Sequence, residues 1–182
     1  MDSEADQARD FGVSMIELPE AKAILATIAW AEGTSAGGRD PYSVVYGYGH
    51  TIKDFSDHPA LTGEWRGKVL PPEYCRRAGL RAGCKSTAAG AYQITLPTWT
   101  DPALRRLYSP PDFSPAEQDA FTWFALCRFL GIPQLLAAGK VEKAIIAASA
   151  RWASFPKSSS GQPKRSMAQV LSAYEGYLER AR

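Results

Sequence analysis

The sequence predicts an α+β fold: a mainly helical bundle, a small β lobe, and a cleft between them. Three observations carry this expectation. Helical periodicity marks residues 20–31 and returns beyond Pro97. The stretch between, residues 33–85, is rich in Gly, Pro and Tyr and holds only short β-like pieces. The 182 residues are 45% hydrophobic and 22% charged, the make-up of one globular domain rather than of a disordered or coiled-coil chain. Strands segregated from helices along a chain argue for α+β architecture.

Each element follows from local signals. Residues 1–19 read as a polar acidic leader, expected to be flexible, and residues 20–182 as one domain. In residues 20–31, Ile24, Leu25, Ile28 and Ala29 form the stripe of a buried helix face, and Gly33 stops the helix. Ser43–Tyr48 is β-like. Pro97–Tyr108 reads as a helix. Ser114-Pro115-Ala116-Glu117 has the pattern of a capping box with Pro at the first helical position, which predicts a helix over 115–130 ending at Gly131. Pro133–Ala138 is a short helix closed by Gly139. Residues 141–152 are amphipathic through Val141, Ala144, Ile145, Ala148 and Trp152. Residues 157–165 read as a flexible loop, and Ser166-Met167-Ala168-Gln169 caps a last helix to Ala181.

The net charge of +2 conceals an asymmetry. Six acids stand against Arg9 in residues 1–20, so that segment is −5 and the remainder +7. A basic body suits an anionic partner. No helix-turn-helix, zinc or RNA-binding signature accompanies it, so no nucleic acid is expected. No apolar run approaches the ~18 residues needed to span a bilayer, so membrane insertion is not expected. The start, MDSEADQARD, is the opposite of a secretory signal, which implies synthesis in a cytoplasm. Cys75, Cys84 and Cys127 lack C-x-x-C spacing. Free thiols are the default reading; a Cys75–Cys84 bridge requires an oxidising compartment. With two histidines, His50 and His58, no metal or other cofactor is expected.

Glu32 is the leading candidate for chemistry. It falls where the first helix ends and the lobe begins, beside Trp30 and several alanines. The negative end of the helix dipole and apolar surroundings both disfavour ionisation. A carboxylic acid kept protonated near neutrality can protonate a leaving oxygen; the plain alternative is a solvated glutamate at a surface helix end. The small-residue run Lys85-Ser86-Thr87-Ala88-Ala89-Gly90-Ala91-Tyr92-Gln93 lets backbone approach a ligand, or else merely packs. Tyr42, Tyr46, Tyr48, His50, Phe55 and Trp65 suit a sugar-binding groove, or a core.

Taken together, these residues resemble the bacteriophage lambda lysozyme family of phage endolysins. The matching stretches keep one order: Ala29-Trp30-Ala31-Glu32-Gly33-Thr34, Phe55-Ser56-Asp57-His58-Pro59, Lys85 to Gln93, Phe113-Ser114-Pro115 with Gln118-Asp119-Ala120, and Trp152-Ala153-Ser154-Phe155-Pro156 with Gly161-Gln162. The resemblance implies a lysozyme-like fold. It also implies lytic transglycosylase activity on peptidoglycan glycan strands, breaking the bond between N-acetylmuramic acid and N-acetylglucosamine to leave 1,6-anhydro ends. Glu32 matches the family's catalytic glutamate. Ser86, Thr87, Tyr92, Gln93, Tyr46, Tyr48 and Ser160 are the substrate-binding candidates, with Ser160 standing where the family has a cleft-edge tyrosine. Glycosidases ordinarily need two carboxylates, whereas a transglycosylase needs one; Asp40, Asp54, Asp57 and Glu64 match no second catalytic acid. Asp57-His58-Pro59 reads as a turn held by Asp57. The resemblance further implies a monomer that waits in the host cytoplasm, is released by a separate holin, and acts in the periplasm. A hydrolysing muramidase using Asp54 or Asp57, and a non-catalytic wall-binding module, are the competing readings.

Overall fold

The computed structural model describes residues 16–158 and 163–182. Helix α1 (Pro19–Ala31) opens the domain, with Pro at its start and Ala21, Ile24, Leu25 and Ile28 fully or almost fully buried. Its partner is the last helix, α9 (Met167–Ala181), which packs along it. Ser166 and Gln169 form the expected capping box at the start of α9. Between them in sequence stand α6 (Pro115–Phe121), which continues as a π-helical turn over Thr122–Cys127, α7 (Ile132–Ala137) and α8 (Val141–Ala148). Together these enclose a core centred on Trp99, Phe113, Phe121, Phe155 and Tyr174. Trp99 stacks edge-on against Phe113 and Phe121, both at 4.9 Å between ring centroids.

The lobe is built differently. A 3-10 turn (Pro41–Ser43) is followed by the one-turn helix α2 (Pro59–Thr62). Strand β1 (Lys68–Val69) pairs antiparallel with β2 (Lys85–Ser86), and α3 (Pro72–Arg77) lies between them. Val45 and Ala89 make an isolated bridge, as do Val44 and Thr51. The β-like reading of Ser43–Tyr48 therefore yields single bridges, because Gly47 and Tyr48 take positive φ and curl the chain out of any ladder. The sheet itself forms downstream, between segments with no alternating pattern.

Four sequence expectations need correction. Cys75 and Cys84 are joined in a disulfide, so the free-thiol default holds for Cys127 alone, which is buried. Pro97–Tyr108 is two helices, α4 (Leu96–Trp99) and α5 (Pro102–Leu107): Pro102 cannot continue a helix, and Asp101 caps the new one by accepting from the Ala103 N–H at 2.8 Å. Ser114 makes no side-chain cap to α6, and Glu117 instead accepts from the Tyr108 hydroxyl at 2.8 Å. The helix over 141–152 ends at Ala148; Trp152 is buried beyond it in a turn. The expected acidic leader lies mostly outside the described residues, and the 157–165 loop partly so.

Eight of the helical elements, α1 to α7 and the 3-10 turn, carry Pro in the first two positions, where the missing N–H costs no hydrogen bond.

Candidate active site

Glu32 is the C-cap residue of α1, directly after its last helical position, Ala31. Gly33 follows with φ +76°, its N–H bonded to the Trp30 carbonyl at 3.0 Å, while the Thr34 N–H reaches the Ala29 carbonyl at 3.1 Å. This is a Schellman stop, which only a residue tolerant of positive φ completes without strain. The Thr34 hydroxyl then donates to both the Ala29 and Ala91 carbonyls. Thus the end of α1 is tied to the 88–94 segment, and Glu32 is delivered into the space between lobe and bundle.

That space is a cavity of about 620 Å³. One wall is Ala31, Glu32 and Ser154 from the bundle side. The other is Tyr46, Gly47 and Tyr48, with Lys68, Val69, Leu70 and Pro71 from the β1 rim; Gln93 and Pro163 complete it. Glu32 is the one carboxylate among the described residues that line it. Its acidity is weakened: burial raises the pKa above the ordinary glutamate value, and hydrogen bonds from Ser154 pull partly the other way. The Ser154 hydroxyl donates to Glu32 Oε1 at 2.6 Å. Ser154 is itself held by the buried Trp152, whose indole N–H donates to the Tyr92 carbonyl at 3.1 Å, and by the Arg165 N–H on the Ser154 carbonyl at 2.8 Å. The sequence pattern around Ser154 offered a match but no role; its bond to Glu32 spans 122 positions and has no local signature.

Gln93 stands in a second strained turn. Its φ is +50°, and Tyr48, with φ +57°, is the other non-glycine residue in that region among the described residues. Both line the cavity, in keeping with the tendency of backbone strain to gather at functional sites. Gln93 Nε2 donates to the Gly90 carbonyl at 3.1 Å. Gly90 has φ +74°, and a Cβ there would collide with the Gln118 side chain. Gln118 is fully buried; its amide donates to the Tyr42 and Phe113 carbonyls and accepts from the Ala91 N–H. One side chain on α6 therefore holds the Gln93 turn, the 3-10 turn and the α6 entry together.

The structure divides the sequence candidates. Glu32, Tyr46, Tyr48 and Gln93 come together around the cavity. Ser86, Thr87 and Tyr92 are not among its lining residues. Ser86 accepts from the Ala88 N–H, Thr87 accepts from the Leu96 N–H at 2.9 Å, and Tyr92 is buried with its hydroxyl on Asp119 at 2.5 Å. These three make internal bonds that shape the turn. Ser160 lies outside the described residues.

Four other lobe acids make structural bonds. Asp40 caps the 3-10 turn, and Asp54 accepts from the Ser56 N–H. Asp57 accepts from the His58 N–H at 2.7 Å and from the Trp99 indole at 2.8 Å, the turn role expected of it. Glu64 gathers the Lys53 and Asp54 N–H groups and the His50 ring. None lines the cavity. Among the described residues no group of three or more His, Cys, Asp or Glu could hold a metal ion, and no helix is long and apolar enough to cross a membrane.

Comparison with known proteins bears on the family and the fold. The family model described as Endolysin matches residues 22–179. The chain is 33% identical over 153 residues to the endolysin of Escherichia phage lambda, covering 81% of this chain and 85% of that one. It is 35% identical over 121 residues to the endolysin of Escherichia phage P2, with 66% of each covered. Among solved structures, bacteriophage lambda lysozyme complexed with a chitohexasaccharide superposes with a TM-score of 0.68 at 29% identity, over 88% of this chain and 94% of that chain. A second lambda lysozyme structure gives 0.64 at 27% identity, over 90% and 94%. With the α+β lysozyme-like architecture, the single acid at the end of α1 and a family match across nearly the whole domain, the chain belongs to the endolysin family of phage cell-wall-degrading lysozymes.

Proposed function

We propose that the chain is a peptidoglycan lytic transglycosylase, cutting the β-1,4 bond between N-acetylmuramic acid and N-acetylglucosamine and leaving 1,6-anhydro-muramic ends. The observation that carries this reading is the lone carboxylate. A hydrolase that activates water on the far face of the sugar, or forms a glycosyl-enzyme, needs a second acid across the bond. Glu32 faces no such partner within the described lining of the cavity, and Asp54 and Asp57 are engaged elsewhere.

One acid is enough when the substrate supplies its own nucleophile. Glu32, protonated because burial disfavours its charge, gives its proton to the glycosidic oxygen as the C1–O4 bond breaks. The resulting carboxylate takes the proton of the muramic 6-hydroxyl, whose oxygen forms the C1–O6 bond. Glu32 ends as it began, and no water is consumed. Ser154, donating to Oε1, stabilises the carboxylate formed midway. Gln93, Tyr46 and Tyr48 offer an amide and two phenol rings to sugar hydroxyls and ring faces. The lambda relative was solved with a chitohexasaccharide, which supports a glycan in this cleft.

Mass spectrometry of digested peptidoglycan tests the reading. Products ending in anhydro-muramic acid, 18 Da lighter than the reducing sugar by the loss of water, are expected; water-added reducing ends throughout would replace it with hydrolysis. In this reading the substrate is the periplasmic wall, the enzyme acts as a monomer, and a separate holin gives it access.

A further inference from the structure

Among the described residues that line it, the cavity holds two charged side chains, and the mechanism uses one. The second is Lys68, on the first residue of β1. It lies across Gly47, where the backbone takes φ +77° and carries no side chain to obstruct the ammonium: an added Cβ would sit 2.5 Å from Nζ. Within the described residues, Lys68 makes no ion pair with a lobe acid. Nor does it set the acidity of Glu32, which follows from burial and Ser154. So among the described residues the cation is unpaired, it lines the cleft, and it is spare to the proton chemistry.

Its surroundings have the same sign. Residues 64–85 carry six bases and two acids, and residues 151–182 repeat that balance. The first region supplies the Lys68–Pro71 rim and the second supplies Ser154 and Pro163. An ammonium in the cleft, on a segment of basic sequence, suits a polymer whose sugars carry negative charge. Muramic acid differs from plain N-acetylglucosamine by a lactyl ether, which bears either a free carboxylate or a peptide stem rich in carboxylates.

We propose that Lys68 is a specificity determinant that pairs with a carboxylate borne by the muramic residue, so that the cleft selects peptidoglycan over uncharged chitin-like glycan. The inference rests on the reading that this cavity binds the wall glycan. Pairing with a bound substrate both before and during bond cleavage is uniform binding, and its loss raises KM and leaves kcat nearly unchanged.

The experiment compares wild type with K68A and K68R on three substrates: native peptidoglycan, peptidoglycan whose carboxylates have been amidated, and glycan strands freed of their stems by an amidase. For wild type, amidation is expected to raise KM roughly fivefold to tenfold. K68A is expected to show that raised KM already on native wall, with no further response to amidation, and K68R to recover most of the loss. A K68A enzyme that keeps the wild-type KM and the wild-type response to amidation overturns the proposal. Stem-free strands identify the source: a KM that still depends on Lys68 points to the lactyl carboxylate, and one that does not points to the stem. Product ends are read from the same digests, so a failure of the transglycosylase reading appears as hydrolytic ends and is separate from the KM pattern. Lys68 is exposed, and matched thermal melts confirm that its variants fold.

Discussion

The helical body and the β lobe of this protein are held together by different forces. The body buries Trp99, Phe113, Phe121, Phe155 and Tyr174 against α1 and α9. Over residues 33–86 the buried hydrophobic side chains are Val44, Val45, Ile52 and Cys75. What the lobe lacks in apolar burial it replaces with directed bonds: Asp40, Asp54, Asp57 and Glu64 on backbone N–H groups, the Cys75–Cys84 bridge, and the Gln118 amide reaching across from α6. The body is therefore stabilised by area and the lobe by geometry. A catalytic cleft profits from both, since the acid needs a dry, fixed seat and the substrate rim needs polar, specific edges.

The largest effect is expected at the seam. Glu32→Gln removes the acid and should lower wall lysis by at least about 10²–10⁴-fold, the usual contribution of a general acid. Neither region should loosen. Because the folded state raises the Glu32 pKa, the folded protein binds more protons than the unfolded one as pH climbs from 4.5 through the raised value, and wild-type stability falls over that window. E32Q should not show that fall, and above the window it should melt higher than wild type. Turbidity assays and pH-resolved melts check both parts; a variant that lyses walls normally removes Glu32 from the chemistry.

Next comes the body. Phe113→Ala empties a fully buried position between Trp99 and His58 and should cost about 3–5 kcal/mol in denaturant melts. A loss under about 1 kcal/mol would undo the contrast between the regions.

The lobe should respond to its staple. Replacing Cys75 and Cys84 by Ser, or reducing the bridge, opens a loop closed across nine positions and should cost roughly 2–3 kcal/mol by loop-closure entropy. The damage should be local. The Leu70 N–H bonds to the Cys84 carbonyl at 2.9 Å, and Leu70 and Pro71 line the cavity. Faster amide exchange at residues 68–86, with the body unchanged, is the expected signature.

The smallest effect tests where the two regions meet. His58 is fully buried, its Nδ1 accepts from the Ala60 N–H and its Nε2 faces the Ile94 carbonyl at 3.0 Å. Burial lowers its pKa below 6.5. The unfolded state then takes up the proton first as pH falls below about 6.5, and stability declines until the folded pKa is reached. The slope contributed by one histidine is at most about 1.4 kcal/mol per pH unit, and His58→Gln should flatten it.

Much of the body was legible because its signals are local. The α1 stripe, the Ser166 capping box and the glycine stops at Gly131 and Gly139 each act within a few residues. The seat of Glu32 was legible for the same reason: a helix end is a local event. The lobe resisted because its structure is made by distant bonds. β1 and β2 are two residues each, too short for any alternation. The disulfide depends on proximity, which spacing alone does not show. The signature run 85–93 was singled out as a unit, yet its members part ways: Gln93 faces the cleft while Thr87 and Tyr92 turn inward. Which side chain of a tight turn looks out depends on φ, and the positive φ of Gln93 has no residue-type signal. Ser154, from the far end of the chain, joined the site only in three dimensions.

The punctuation of α1 makes the helix a measuring rod. Pro19 marks its first position and Gly33 its stop, so Glu32 is reached by a fixed count of residues. Each residue turns a helix by roughly 100°. Inserting one residue between the marks forces a choice: rotate the buried face of α1 away from α9, or swing the acid out of the cleft. In the proposed mechanism the length of this one helix is thus part of the catalytic geometry, and it should tolerate many substitutions but no change in count.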